Sequence, residues 1–167
     1  MTQFSVPGVQ GKSRPRFARQ GMHVQTYTPD KTRAYEQAVA LAYTSAGGRL
    51  IDGPVALQLT AFQALPKRAT KAQRAAAERG EIYPIRKPDL DNIIKIVLDA
   101  LNGAAYTDDK QVVRLDARKL YTPGDSCICV AIGRIDDMPH ATQAWGEGVT
   151  QYENPEGCKP GYAGQVL

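Results

Sequence analysis

The residues best suited to chemistry lie in one short stretch, Asp89-Leu90-Asp91-Asn92-Ile93-Ile94-Lys95-Ile96-Val97-Leu98-Asp99, and in an acidic pair a little further on, Asp108-Asp109. Each has an ordinary structural use. An aspartate at a helix N-cap contributes roughly 0.5–2 kcal/mol by accepting backbone N–H bonds. A second aspartate in the first turn gains from the helix dipole, and Lys95 can pair with Asp91 or Asp99 at i, i+4. Asp108-Asp109 has the composition of a turn. Taken together they say more. Four carboxylates, Asp89, Asp91, Asp108 and Asp109, gathered at a helix start and an adjacent loop would repel one another unless a cation sat among them. Mg²⁺ takes oxygen ligands only, a few carboxylates completed by water and substrate phosphate oxygens. Such a cluster in a basic protein fits phosphodiester hydrolysis: a cationic surface holds the backbone, a metal polarises the phosphate and activates water, and a nearby lysine steadies developing charge.

The elements that must position these groups can be read from periodicity. Leu90, Ile93, Ile94, Val97, Leu98 and Leu101 form a helical stripe, with Asn102-Gly103 as its stop. The helix starts at Leu90, with Asp89 as N-cap and Asp91, Lys95 and Asp99 sharing the face away from the stripe. Upstream, Thr2 to Val6 alternates as a short strand. Gly8 to Phe17, with its glycines and Pro15, is an extended charged loop. An amphipathic helix follows from Thr32, carried by Tyr35, Ala38, Val39, Ala42 and Tyr43, and ends at Gly47-Gly48. Pro54 to Phe62 alternates as a strand. Thr70-Lys71-Ala72-Gln73 has the spacing of a capping box before an alanine-rich basic helix that stops at Gly80, and its alanine face predicts weak packing. Gln111 to Tyr121 is a strand with Val113, Leu115 and Ala117 on one face, and Ser126 to Ile135 is apolar on both faces, as a central strand would be. This order gives an α+β fold, a compact single domain with a mixed β-sheet packed with helices.

At 167 residues the chain makes one domain, expected over 1–135, with an extension over 136–167. Residues 1–135 hold 20 Lys/Arg against 12 Asp/Glu, a net of +8; residues 136–167 hold 1 against 5, a net of −4. The basic body suits a polyanionic partner. The extension, rich in Gly and Pro and poor in aliphatics, predicts a poorly ordered acidic tail. No apolar run is long enough to span a membrane, and the first 19 residues lack the apolar core of a signal peptide, so a cytoplasmic protein with no membrane partner is expected. Three cysteines are too few and too oddly spaced for a disulfide framework or a four-ligand zinc site.

Asp89-Leu90-Asp91-Asn92, Lys95 four residues after the second Asp, Asp99-Ala100-Leu101 and the Asp108-Asp109 pair before a strand together resemble the RusA family of Holliday junction resolvases, endodeoxyribonucleases often carried by phages and prophages. Lys12-Ser13-Arg14-Pro15-Arg16-Phe17 and Tyr27-Thr28-Pro29 are similar to the family's opening, so the likeness runs from about residue 3 to 135. The resemblance implies a RusA-like fold in which Asp89, Asp91 and Asp109 ligate Mg²⁺ or Mn²⁺, with Asp108 as an alternative ligand. It implies that Lys95 acts as a cation on the phosphate or leaving group, and that Lys12, Arg14 and Arg16 grip backbone phosphates. Lys67, Arg68, Lys71 and Arg74, in a basic stretch longer than the family's usual one, extend the expected DNA surface. The partner implied is four-way junction DNA, bound by a homodimer and cut by paired nicks that leave 5′-phosphate and 3′-hydroxyl ends. Two other readings stay open: a junction- or duplex-binding protein without catalysis, and a metal nuclease that prefers flaps, forks or RNA.

Overall fold

The structure, a computed structural model, describes residues 1–13, 16–20, 23–27 and 29–138, with 16–20 and 23–27 given by backbone alone. Its strands are β1 (Thr2–Pro7), β2 (Arg16–Gln20), β3 (His23–Tyr27), β4 (Val55–Ala64), β5 (Val112–Thr122) and β6 (Cys127–Arg134). Its helices are α1 (Asp30–Ser45), α2 (Lys71–Glu78) and α3 (Leu90–Leu101). Four strands form one mixed sheet in the order β1-β6-β4-β5: β4 and β5 run parallel, and the other neighbours are antiparallel. A parallel neighbour needs a long crossover, and here it is the segment carrying α2 and α3. The expected α+β class and element order are observed, with one addition.

That addition is the antiparallel ribbon β2–β3, paired from Arg16 opposite Tyr27 to Gln20 opposite His23. The sequence reading takes the chain as loop through Phe17. Each arm of the ribbon is only five residues long and carries little apolar alternation, so periodicity gives no sign of it.

The core forms where α1 and α3 cover one face of the sheet. Phe4 and Val6 of β1, Leu57, Leu59 and Ala61 of β4, and Ile128, Val130 and Ile132 of β6 meet Val39 and Tyr43 of α1 and Ile93, Ile96 and Val97 of α3. The opposite face holds a smaller cluster of Phe62, Leu120 and Cys129. β4 and β6, each with a strand on both sides, are the central strands and are buried on both faces. β5 is an edge strand, so its predicted apolar face is left partly in water: Val113 is 61% and Leu115 37% exposed. α2 begins with the predicted capping box, the Thr70 side chain accepting from Gln73 N and Gln73 from Thr70 N. Of its alanines only Ala77 is buried, in line with weak packing.

The chain continues past Ile135 in a 3₁₀ turn, Ile135–Asp137, to Met138, whose side chain is buried beside Gly133. The remainder of the extension, 139–167, lies outside the described residues. Among the described residues, no helix is long and apolar enough to cross a membrane.

Candidate active site

The site is built around the start of α3. Because α3 packs on α1 as well as on the sheet, its buried side is Ile93, Ile96, Val97, Ala100 and Leu101. The stripe read from the sequence has Leu90, Ile94 and Leu98 in place of Ile96 and Ala100; these three are only partly buried. This slight rotation leaves Asp91 and Lys95 exposed on the outer face, with Asp99 half-buried on the same face. Asp89 occupies the N-cap position, yet its side chain makes no capping hydrogen bond. The ordinary use of an aspartate at that place is therefore not realised, and its carboxylate stays in solvent. The amide of Asn92 donates to Asp91 Oδ1 at 3.3 Å. Lys95 makes no ion pair with any described residue.

The second acidic segment is held to α3 by a fully buried tyrosine. Tyr106 donates its hydroxyl to Leu98 O at 2.9 Å, one of the last four helical carbonyls that lack an intrahelical partner. Burial raises the phenol pKa above its usual value, and the charges of Asp109 and Asp99 raise it further. The neutral phenol is thus the folded form. Its stabilisation is complete below the ordinary tyrosine value of about 10 and is lost as pH climbs through the higher folded value. Tyr106→Phe leaves the Leu98 carbonyl buried and unpaired, at a cost of about 1–3 kcal/mol. The expected result is a thermal midpoint lowered by roughly 3–10 °C, read by a circular dichroism melt at neutral pH.

Gln111 fixes the loop from the other side. Its amide donates to Gly53 O at 3.0 Å and Ile51 O at 3.3 Å, and its Oε1 accepts from Thr107 N at 2.9 Å. The two aspartates then divide. Asp108 caps the 3₁₀ turn Asp109–Gln111, accepting from Lys110 N at 3.0 Å and pairing with Lys110 Nζ at 3.3 Å. The Lys110 amide, and after it the ammonium, holds the Asp108 carboxyl below the usual carboxylate range. Asp109 is exposed and in no ion pair with a described residue.

On its other flank the start of α3 faces an open cleft of about 580 Å³ lined by Gln10, Lys12, Ser13, Lys31, Lys87 and Asp89 among others. The segment 8–13 forms one wall and is strongly tethered. Gly8 N donates to Ser126 O, Gly8 O accepts from Tyr35 Oη at 2.8 Å, and Lys12 N donates to Asn92 O at 2.8 Å. The Lys12 ammonium, expected to meet phosphate, instead bridges Glu36 of α1 and Asp99 of α3, at 2.5 Å and 2.7 Å. The other wall is anchored by Lys119, whose Nζ donates to Arg86 O at 2.7 Å and Pro88 O at 2.9 Å. Sequence reasoning missed Lys119, Tyr106 and Gln111. Their roles are hydrogen bonds to main-chain carbonyls between 8 and 60 residues away, and no helical or strand periodicity signals these.

Asp89 and Asp91 thus stand at the start of α3, and Asp109 opens a 3₁₀ turn packed against the same helix. Among the described residues, however, no three His, Cys, Asp or Glu side chains are gathered as a ready-made metal cage. The donor chemistry nevertheless suits a hard divalent cation. Asp89, Asp91 and Asp109 offer oxygen ligands with no ion pair to a described residue, and Mg²⁺ characteristically uses one or two carboxylates together with water and substrate phosphates. Lys67, Arg68, Lys71 and Arg74 are all exposed, the first two in the turn before α2 and the others on it. Arg14 lies outside the described residues, and Arg16 is described by its backbone alone, at the start of β2.

Comparison with known proteins bears on the same segments. Residues 7–132 match the family model described as "Endodeoxyribonuclease RusA". The chain is also 37% identical over 124 residues to "Uncharacterized protein YqaN" of Bacillus subtilis (strain 168), an alignment covering 72% of this chain and 86% of that protein. The matched range leaves out most of β1 and the last two residues of β6 and takes in the rest of the sheet, the tethered segment 8–13, α3 and the acidic turn. The chain belongs to the RusA endodeoxyribonuclease family.

Proposed function

We propose that this protein is a homodimeric, metal-dependent endodeoxyribonuclease that resolves four-way DNA junctions in the cytoplasm, making paired nicks that leave 5′-phosphate and 3′-hydroxyl ends. The observation that carries the reading is Asp89, an N-cap aspartate whose carboxylate does no capping and faces solvent at the start of a helix whose first two turns carry two further outward charges, Asp91 and Lys95. A purely structural motif would use that oxygen on the helix. Asp89, Asp91 and Asp109 are the residues that would hold Mg²⁺ or Mn²⁺. Asp109 is favoured over Asp108 because Asp108 is already committed to its cap and to Lys110. When bound, the ion supplies Lewis-acid polarisation of the scissile phosphate and a more acidic water.

The chain's own residues do the rest. Lys95, in no ion pair with a described residue, lends positive charge to the phosphate oxygens as negative charge develops there. The cleft beside Asp89, walled by Lys31 and Lys87, admits the strand being cut. Lys67, Arg68, Lys71 and Arg74 add phosphate contacts along α2 and the turn before it. A junction has two-fold symmetry, so a C₂ dimer sets one site on each of two opposed strands.

The deciding experiment offers a labelled four-way junction, fork, flap, duplex and RNA hairpin side by side, with and without Mg²⁺, and maps the nicks on every strand. Symmetric, metal-dependent nicks confined to the junction are expected. Binding without cleavage in Mg²⁺ would make the protein a junction binder, and preferred cutting of flaps, forks or RNA would move it to a different nuclease class. Phosphate contacts from Arg14 and Arg16 are tested separately. Arg14→Ala with Arg16→Ala is expected to weaken junction binding measured in Ca²⁺ and to reduce the slope of log affinity against log salt by about 2, one for each lost phosphate contact. An unchanged slope places the DNA surface elsewhere.

A further inference from the structure

We propose that Lys12 is a positioning residue: by holding Asp99 in an ion pair it keeps that carboxylate away from Lys95, leaving Lys95 available to the scissile phosphate. This inference rests on the nuclease reading above and adds to it a function for a lysine that the sequence assigns to DNA.

On α3, Lys95 has two acidic neighbours on its own face, Asp91 one turn before and Asp99 one turn after. Such i, i+4 pairs ordinarily form, each stabilising a helix by about 0.2–0.5 kcal/mol. Here the Asp99 carboxylate is taken from outside the helix. Lys12 Nζ lies 2.7 Å from Asp99 Oδ2 and 2.5 Å from Glu36 Oε1, and all three side chains are more than two-thirds buried. At that burial the ion pair is far less screened than one in open water. Burial by itself would lower the Lys12 pKa. The hydrogen bonds to Asp99 and Glu36 outweigh it and leave the group above the ordinary lysine value, so it stays charged at any working pH.

The ammonium also arrives preorganised. The Lys12 amide is bonded to Asn92 O, and Tyr35 and Ser126 hold Gly8. Gly11 lets the segment lie against α3, since a Cβ there would fall 2.9 Å from the Cβ atoms of Asn92 and Pro88. A lysine seated between two carboxylates on a tethered segment is poorly placed to contact phosphate. Its steady effect is on the helix face beside it.

The experiment uses the full chain and four variants, Lys12→Met, Asp99→Asn, Glu36→Gln and the double Lys12→Met/Asp99→Asn. Single-turnover nicking of a four-way junction is measured in Mg²⁺, and junction binding is measured in Ca²⁺ across a salt series. Lys12→Met is expected to slow nicking about 10- to 100-fold while its Ca²⁺ binding and salt slope stay unchanged. The double variant is expected to recover most of the loss, because the carboxylate that would capture Lys95 is gone. Asp99→Asn and Glu36→Gln are expected to nick at close to the wild-type rate.

A double variant as slow as Lys12→Met overturns the inference. So does a Lys12→Met protein whose salt slope falls by about 1, the mark of a lost phosphate contact. Glu36→Gln guards against a folding artefact: if it slows nicking as much as Lys12→Met, the bridge between the helices is what matters and Asp99 is not the target. A wild-type chain that nicks nothing overturns the nuclease reading and this inference with it, whereas an active wild type with an unrescued double variant overturns the inference alone.

Discussion

Asp91→Asn is expected to reduce junction nicking in Mg²⁺ by about 10³-fold or more while junction binding in Ca²⁺ is retained or tightened. The side chain is exposed in the first turn of α3, so an isosteric amide disturbs no packing. The folded state loses only the favourable placement of a carboxylate near the helix N-terminus, about 0.3–1 kcal/mol. Catalysis loses much more. A neutral amide oxygen is a poor ligand for a hard cation, and the charge stabilisation that such an ion supplies is worth several kcal/mol. At 1.36 kcal/mol per factor of ten, about 4 kcal/mol accounts for the expected loss. Binding moves the other way because the substitution removes a negative charge close to phosphates. A variant that nicks at the wild-type rate would show that Asp91 holds no metal, and the reading of the whole carboxylate set would go with it.

Ile96→Ala should be among the most damaging substitutions to the fold, costing about 2–5 kcal/mol, while Ile94→Ala costs clearly less. Ile96 is fully buried where α3 meets α1 and the sheet, and Ile94 is only partly covered. Deleting Ile96 leaves a cavity between three elements that cannot all close on it. Urea denaturation of both variants, with the midpoint and slope read together, makes the comparison. If Ile94→Ala proved the worse of the two, α3 would have to be turned toward the stripe read from its sequence, and Asp91 and Lys95 would no longer stand where they are described.

That pair of isoleucines shows how far the sequence carries. The existence of α3, its cap position and its stop at Gly103 are legible because apolar spacing and Asn-Gly punctuation are local signals. Which apolar residues face inward is decided by a second helix, α1, that packs alongside, and local spacing cannot report on a neighbour. β5 teaches the same lesson: its alternation is plain, but only its place at the sheet edge explains why Val113 and Leu115 remain in water. The ribbon β2–β3 stays hidden because its two five-residue arms carry too little apolar alternation for periodicity to register. At the site, the residue types of Asp89, Asp91, Lys95 and Asp109 stand out in the sequence. The groups that hold them, Tyr106, Gln111 and Lys119, act on main-chain carbonyls between 8 and 60 residues away, and Lys12 looks like any other cation of a basic loop until Glu36 and Asp99 are seen around it.

The absent side chain at Gly11 has a consequence for how the protein behaves as ionic strength changes. Besides the Lys12 ion pair, the arm leading to the ribbon sits on the helix through steric closeness and a main-chain hydrogen bond, neither of which dissolved ions weaken as they weaken charge pairing. Salt that strips the protein from a polyanion should therefore leave the arm in its seat. On return to dilute buffer the arm and the start of α3 should then already be aligned, with no reordering step before a polyanion is met again.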